Sequence, residues 1–242
     1  MKLRIGHLYP ELLNLYGDRG NIICMAQRLK WRGIEAEIQT FDLQDTVDFS
    51  QLDLVLLGGG SDREQLLVCN RLKKIRQAFV DYAEQGGVVL AICGGYQLLG
   101  SSYKMGEQTV EGLGLLDLHT ERGPNRLIRN IVLKSALFEQ PIVGFENHGG
   151  RTVLGDCKPL GRVMTGYGNN GKDGYEGVHY KNVIGTYLHG PLLPKNPHLC
   201  DYLLKIALER RYGATKLIGL DDRDELAANR YVVRRFAQGG RA

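Results

Sequence analysis

The amino-acid sequence predicts an α/β protein with an open, mostly parallel, doubly wound sheet and with extra strands and helices towards the C-terminus. The runs LDLVLLGGG (52–60) and VVLAICGG (88–95) are continuously apolar and end in glycines, as is typical of parallel strands buried on both faces. Helical patterns of apolar residues separate such runs, so that the N-terminal part reads β-α-β-β-α-β.

The elements of this part follow in order along the chain. KLRIGHLYP (2–10) and IEAEIQTF (34–41) predict strands, and LNLYGDRGN (13–21) is typical of a loop. NIICMAQRLKWRG (21–33) predicts a helix with Asn21 as its N-cap and Gly33 at its end. A second helix is predicted over 61–87, where Ser61 and Glu64 form a capping box.

Beyond residue 110 the pattern changes to shorter alternating segments, which predict additional strands and hairpins. These segments are RLIRNIVL (126–133), PIVGFEN (141–147), GRVMTGYG (161–168) and EGVHYKNVIGTYLHG (176–190). Helices are predicted in 197–213 and 220–238, the second ending in a polar tail. We expect one unit, with residues 1–213 as the main domain and 214–242 as its helical extension.

The composition excludes several classes of protein. The net charge of +4 is too small and too scattered to predict nucleic-acid binding. The five cysteines have no C-x-x-C spacing, which argues against a disulfide scaffold or a zinc site and favours a reducing compartment. No leader pattern and no apolar run of membrane-spanning length is present, so we expect a cytoplasmic protein without membrane insertion.

Cys93 is the candidate nucleophile because it ends a predicted strand and precedes two glycines and a helical segment. A sharp strand-to-helix turn exposes a side chain at the carboxyl end of a parallel sheet, where ligands bind. Free cysteine is also among the most buried residue types, so a buried structural thiol is the competing interpretation. On the local pattern alone the two interpretations are evenly balanced.

The partners that a cysteine nucleophile requires are found elsewhere in the sequence. LLGGGSDREQ (56–65) is a second glycine-ended strand, which is either an anion or oxyanion site or only a tight turn into a capped helix. His189 ends the predicted strand NVIGTYLHG and is the preferred base. His148, in what we interpret as the glycine-flanked turn FENHGGRT, is the second choice.

One motif is misleading. GYGNNGKD (166–173) matches most of a phosphate-binding G-x-x-x-x-G-K-[ST] loop, but Asp173 replaces the hydroxyl that would bind Mg²⁺. The residues that follow predict a strand instead of the helix that such a loop requires. The sequence therefore predicts no ATP site in this loop, no metal site and no cofactor in this chain.

Several segments together resemble the cobyric acid synthase-like group of class I glutamine amidotransferases. The matching segments, in chain order, are LNLYGDRGNI, LGGGSDREQ, AICGGYQLLG, EGLGLLDLHTER, FENHGGRT, GYGNN and GTYLHGPLLPKNP. The resemblance extends to about residue 213. It implies a class I amidotransferase-like fold and hydrolysis of L-glutamine to glutamate and ammonia.

The resemblance also implies roles for individual residues. Cys93 would form a γ-glutamyl thioester and His189 would serve as the base. The backbone N–H groups of Gly60 and Gly94 would form the oxyanion hole. Arg126 would hold the substrate α-carboxylate. Further residues that would line the glutamine site are Gln97, Asn147, His148 and Gly149.

The sequence departs from the family at one position that matters for the mechanism. Many class I relatives place a glutamate two residues after the histidine, where this chain has Pro191. Either a Cys–His dyad suffices, or another carboxylate orients His189, or a partner supplies one. Two residues before Cys93, Ala91 replaces a common glycine, and we expect no loss of function from this small side chain.

Within the family, the resemblance narrows to glutaminase subunits that work as heterodimers with a separate Mur-ligase-like subunit. That subunit would hold ATP and Mg²⁺ and would amidate the D-glutamate of lipid II, which this chain would reach only through its partner. Three alternatives remain open: a glutaminase for another acceptor such as a corrinoid, a stand-alone cysteine hydrolase of the related peptidase or deglycase type, and a non-catalytic module.

Overall fold

The computed structural model describes residues 1–106 and 108–237, and it contains two sheets. The first has six strands in the order β11-β12-β4-β3-β1-β2. All neighbours in it are parallel except β11 and β12, which form an antiparallel hairpin. Its strands are β1 (Lys2–Leu8), β2 (Glu35–Phe41), β3 (Leu54–Leu57), β4 (Val88–Ile92), β11 (Val178–Tyr180) and β12 (Val183–Thr186).

Helices cover both faces of this sheet. Alternate side chains of its central strands point to opposite sides and pack against different helices. Val55 and Val89 lie in the core with α2 (Asp62–Lys74) and α3 (Arg76–Glu84). Leu54 and Leu90 lie in the core with α1 (Arg19–Trp31) and α5 (Pro197–Tyr212). A short helix, α4 (Gly94–Leu98), follows β4 directly. The predicted α/β class with a doubly wound, mostly parallel sheet is confirmed.

The second sheet is formed by the segments after residue 100. Its centre is a long antiparallel pair, β7 (Leu118–Lys134) with β8 (Ile142–Leu154). Its other strands are β5 (Ser102–Met105), β6 (Gln108–Glu111), β9 (Gly161–Thr165), β10 (Tyr175–Glu176) and β13 (Leu188–His189). The chain leaves β12 of the first sheet at Thr186 and enters β13 of the second at Leu188, so His189 lies where the sheets meet.

Three predictions about individual elements are wrong. The helix predicted over 61–87 is two helices, because Ile75 leaves helical geometry (φ −112°, ψ 15°) while the apolar spacing continues across it. The capping box of Ser61 and Glu64 is confirmed. α1 begins two residues before Asn21, which is buried and accepts a hydrogen bond from the Leu193 N–H at 2.9 Å instead of capping the helix.

The third error concerns FENHGGRT, which lies inside β8 and is not a turn. Gly150 is explained by another side chain that packs closely against the strand. A β-carbon on Gly150 would overlap the side-chain amide of Gln97. Close approach and turns both select glycine, so the sequence pattern alone does not separate them.

A cluster of ion pairs around a buried arginine connects the two C-terminal helices to α1. Arg28, 2% exposed, donates to the Asp201 carboxylate of α5 and to Asp222 at the start of α6 (Arg223–Phe236). Asn229 of α6 donates to the carbonyl oxygens of Pro141 and Lys195. The helices predicted over 197–213 and 220–238 are present as α5 and α6. Gln238 and the residues after it lie outside the described residues. The division at residue 213 stays a prediction.

None of the helices in residues 1–106 and 108–237 is long and apolar enough to cross a membrane. The loop GYGNNGKD is followed by strand β10, as the sequence predicts.

Candidate active site

Cys93 occupies the sharp turn between β4 and α4. Its backbone has φ 49° and ψ −105°, a strained conformation for a residue with a side chain. Glycines permit this turn, since a β-carbon on Gly95 would lie 2.5 Å from the carbonyl oxygen of Leu57 and one on Gly94 would overlap Gln65. The thiol is half-buried, and burial together with the nearby Asp18 carboxylate raises its pKa to about 12. At rest Cys93 is therefore a neutral thiol that requires a base.

The triple glycine after β3 brings the nucleophile and the base together. A β-carbon on Gly59 would lie 3.0 Å from Cys93 Cβ and 3.5 Å from His189 Cε1, so both side chains border this residue. On its other side the turn packs against the loop before α1. A β-carbon on Gly60 would lie 2.7 Å from the carbonyl oxygen of Leu12. Close packing on both sides thus explains the glycines.

His189 is fully buried and neutral. Burial, together with the nearby His148 and Arg126, lowers its pKa to about 3. The ring lies 4.3 Å, centroid to centroid, from the ring of Tyr16. Within the described residues neither ring nitrogen has a hydrogen-bond partner. His189 is thus available as a proton acceptor close to Cys93.

Asp18 is a fully buried carboxylate on the other side of the same histidine. Its Oδ2 accepts a hydrogen bond from the Gly59 N–H at 2.8 Å, and its Oδ1 lies 4.0 Å from His189 Nδ1. Burial raises its pKa to about 6, although the Gly59 N–H acts in the opposite direction. Near neutral pH most of this group is ionised and can orient a Nδ1–H tautomer of His189.

A cavity of about 710 Å³ opens onto Cys93. Five other predicted site residues line it: Gly60, Gln97, Arg126, His148 and Gly149. The charged lining residues among the described ones are mainly basic, with Arg63, Lys104, Arg122 and Arg126 against one carboxylate, Asp62. This balance favours a ligand with an anionic group.

Arg126 lies on β7 and is held in position by Asn147 on β8. Its Nε donates to Asn147 Oδ1 at 2.7 Å and its Nη2 donates to the Asn147 carbonyl oxygen at 2.6 Å. Asn147 itself is not among the residues that line the cavity. The structure therefore shows Asn147 as the support of Arg126, and its expected place in the glutamine site stays a prediction.

Gln97 and His148 belong to a buried polar network behind the cavity. The Gln97 amide accepts from Gln65 Nε2 and donates to the Tyr187 hydroxyl, both at 3.0 Å. The His148 ring stacks on Tyr187 at 3.7 Å and its Nδ1 lies 2.9 Å from the Gly150 carbonyl oxygen. These contacts fix the orientation of both side chains without using all their polar atoms.

The predicted oxyanion-hole donors are the backbone N–H groups of Gly60 and Gly94. Gly60 N–H has no hydrogen-bond partner among the described residues, and Gly94 is the first residue of α4, where helical N–H groups are not paired within the helix. The Gly94 N–H also lowers the pKa of Cys93, which places it close to the sulfur. The role of both N–H groups as an oxyanion hole stays a prediction.

Comparison with known proteins is decisive for the family. The model of the CobB/CobQ-like glutamine amidotransferase domain matches residues 4–197. The chain belongs to this glutamine amidotransferase family.

Among its relatives are GatD subunits of lipid II isoglutaminyl synthase (glutamine-hydrolyzing). The chain is 46% identical to the one from Staphylococcus aureus strain N315, over 97% of this chain and 96% of the relative. It is 42% identical to the one from Streptococcus pneumoniae strain R6, over 88% and 83% respectively. PurLQS from Thermotoga maritima shares the fold at a TM-score of 0.59 and 22% identity, over 86% of this chain and 99% of that chain.

In this glutamine amidotransferase, the sequence offered no carboxylate at the position two residues after the histidine. Pro191 packs instead against the start of α1, where a β-carbon on Gly20 would lie 2.5 Å from its Cγ. Asp18, just before that helix, has its Oδ1 4.0 Å from His189 Nδ1. Sequence reasoning missed Asp18 because it assigned LNLYGDRGN only to a loop; an aspartate directly before a helix is the one signal that singles it out.

Metal ligation is the remaining question for this amidotransferase site. No group of three or more His, Cys, Asp or Glu side chains in residues 1–106 and 108–237 is arranged to hold a metal ion.

Proposed function

We propose that this chain is the glutamine-hydrolysing subunit of a lipid II isoglutaminyl synthase. The observation that carries the proposal is the apposition of Cys93 and His189 across Gly59, at a cavity with Arg126 on its wall. Near full-length similarity to two GatD subunits supports the choice of acceptor.

The reaction begins with a proton transfer inside the site. The Cys93 thiol attacks the side-chain carbonyl carbon of L-glutamine while His189 takes its proton, and Asp18 stabilises the imidazolium that forms. The oxyanion points to the N–H groups of Gly60 and Gly94. His189 then gives the proton to the leaving amine, so that ammonia departs and a γ-glutamyl thioester remains.

The second half of the reaction regenerates the enzyme. His189 takes a proton from a water molecule, the resulting hydroxide attacks the thioester carbonyl, and the Cys93 sulfur leaves and is reprotonated. Arg126 holds the α-carboxylate of the substrate throughout, because its guanidinium is already fixed by Asn147. Binding of this anion also offsets the positive charge that lowers the pKa of His189.

The ammonia would pass to a separate Mur-ligase-like subunit in a heterodimer. That partner would bind ATP and Mg²⁺, activate the α-carboxylate of D-glutamate in lipid II and amidate it to D-isoglutamine, with no cofactor in this chain. We place both subunits in the cytoplasm, with lipid II reached through the partner. The printed names of the two GatD relatives, which are subunits of a synthase, support a partner of this kind.

Ammonia release from L-glutamine tests the proposal. We expect activity in the wild-type chain with its ligase-like partner, and loss of at least ~10³-fold in Cys93→Ser, because a hydroxyl is a far weaker nucleophile than a thiol. Cys69→Ser is a matched control, since this thiol is buried between α2 and β6 and donates to the Glu111 carbonyl oxygen. Full activity of Cys93→Ser would refute the mechanism. Hydrolysis of other substrates with no use of glutamine would favour the stand-alone cysteine hydrolase.

A further inference from the structure

Tyr16 lies between the base and the residue that holds the substrate carboxylate. Its ring packs against His189 with 4.3 Å between the ring centroids and an interplanar angle of 54°. Its hydroxyl lies 3.4 Å from Arg126 Nη2, which donates to it. The side chain is half-buried and lines the cavity that opens onto Cys93. One residue therefore contacts both functional parts of the site.

The hydrogen bonds of Arg126 show which of its N–H groups the Tyr16 hydroxyl uses. Nε and one N–H of Nη2 are used by the side chain and the carbonyl oxygen of Asn147. The end of the guanidinium formed by Nη1 and the second N–H of Nη2 remains for a carboxylate, which prefers to bind such a fork with both oxygens. Tyr16 accepts a hydrogen bond from that same Nη2.

The contact with His189 has a different physical effect. Aromatic cover keeps water from one side of the imidazole and restricts its ring orientation. The groups that face this histidine from the surrounding elements are Asp18 before α1, Cys93 before α4, Arg126 on β7 and His148 on β8. Tyr16 supplies the apolar contact among these polar and charged neighbours.

We propose that Tyr16 is a positioning residue that links the docking of the substrate α-carboxylate on Arg126 to the seating of the base His189. The incoming carboxylate displaces the Tyr16 hydroxyl from Arg126, while the Tyr16 ring remains on His189 and covers it during the reaction. A ligand without an α-carboxylate leaves the hydroxyl on Arg126. This role rests on the proposed glutaminase function and adds to it a residue that contacts both the base and the arginine of the carboxylate site.

Two variants separate the two contacts. Tyr16→Phe keeps the ring and removes only the competing hydroxyl, so we expect KM for L-glutamine to fall about 2- to 5-fold with kcat changed less than about 2-fold. Tyr16→Ala removes the ring as well, and we expect kcat to fall at least ~10-fold because the base is no longer held. The assay is steady-state ammonia release by the full chain with its ligase-like partner.

A spectroscopic measurement distinguishes this role from a merely structural one. Burial depresses the pKa of His189 to about 3. In Tyr16→Ala water reaches the ring, so the pKa measured by NMR titration of the histidine side chains should rise by at least about one unit, whereas Tyr16→Phe should leave it unchanged.

Opposite results overturn the inference. A wild-type KM in Tyr16→Phe, or a wild-type kcat in Tyr16→Ala, would show that Tyr16 does not link the two groups. Failure of the proposed function is a separate result, in which the wild-type chain itself releases no ammonia from glutamine. Tyr16→Phe preserves the packing of the ring, so the test stands even if Tyr16→Ala does not fold.

Discussion

The catalytic and the recognition parts of the site are built in opposite ways. Half-buried Cys93 and fully buried His189 and Asp18 lie at the carboxyl edge of the first sheet, and within the described residues the ring nitrogens of His189 and the Oδ1 of Asp18 have no hydrogen-bond partner. Arg126 comes from the β7–β8 pair of the second sheet, and two hydrogen bonds to Asn147 hold its guanidinium in position. The catalytic groups are left free to exchange protons, whereas the recognition group is fixed before substrate arrives.

This difference has an energetic meaning. A buried polar atom without a partner destabilises the fold by roughly 1–3 kcal/mol, so an unpaired catalytic group is maintained at the expense of stability. A preset guanidinium loses little freedom when it binds a carboxylate, which favours affinity. Variants of the catalytic part should therefore change kcat and stability, and variants of the recognition part should change KM.

The largest effect is expected from Asp18→Asn. The Oδ1 of asparagine can keep the bond to Gly59 N–H, but the neutral amide no longer stabilises a positive His189. Glutaminase kcat should fall at least ~100-fold, the usual range for loss of acid–base assistance, while KM changes less than about 3-fold. Steady-state kinetics measures both constants.

Asp53→Asn is the control for this change. Asp53 is also buried, but it forms an ion pair with Arg211, accepts from the Arg4 backbone N–H and lies directly before β3, away from the catalytic edge. Its variant should be less stable with a nearly unchanged kcat. An Asp18→Asn enzyme with the wild-type kcat would mean that a Cys–His dyad suffices.

The second effect is a change in substrate affinity in Arg126→Met. Loss of a charge-assisted pair with the α-carboxylate should raise KM for L-glutamine about 10- to 100-fold, with a smaller change in kcat. Arg129→Met is the matched control, because Arg129 lies on the same strand but over the Tyr167 ring. Equal increases in KM in the two variants would show that the positive charge on this strand matters and not the position of Arg126.

The sequence predicts the residues of this site that a local pattern marks, and it does not predict those that depend on contacts between distant parts of the chain. Cys93 and His189 each end a strand-like run next to glycine, so the local pattern points to them. Asp18 faces His189 only because the loop before α1 folds onto the Gly58–Gly60 turn, a tertiary contact that leaves no periodic trace in the sequence. β8 was misread for the same reason, since Gly150 records the approach of Gln97 and not a turn.

The third effect concerns stability, and its sign follows from the pKa of Asp18. Folding raises this pKa from 3.8 to about 6, so the native state binds the proton more tightly and the free energy of unfolding falls as pH rises from about 4 to 6. Above that window the buried charge destabilises the native state by up to about 3 kcal/mol. Asp18→Asn should therefore be more stable than wild type at pH 7.5, and the difference should shrink at pH 4.5.

Urea unfolding at the two pH values measures this difference. Titration of His189 also lowers stability at acidic pH, because its native pKa lies below its ordinary value, but it does so in both proteins and largely cancels. If Asp18→Asn were the less stable protein at pH 7.5, the Asp18 carboxylate would be a stabilising group and the contrast between the two parts of the site would be lost.

The smallest effect is expected from Asn147→Ala. This variant tests whether Asn147 holds the Arg126 guanidinium in position before substrate binds. The substitution removes the Oδ1 acceptor of Arg126 Nε, but the backbone carbonyl of residue 147 still accepts from Nη2. One remaining bond should leave the guanidinium partly positioned, so KM for L-glutamine should rise only about 5-fold, as expected for one hydrogen bond of roughly 1 kcal/mol, with kcat unchanged. In the Arg126→Met background the Asn147→Ala substitution should not raise KM further, because Asn147 acts through Arg126. A further rise of KM in the double variant would instead show that Asn147 contacts the substrate directly.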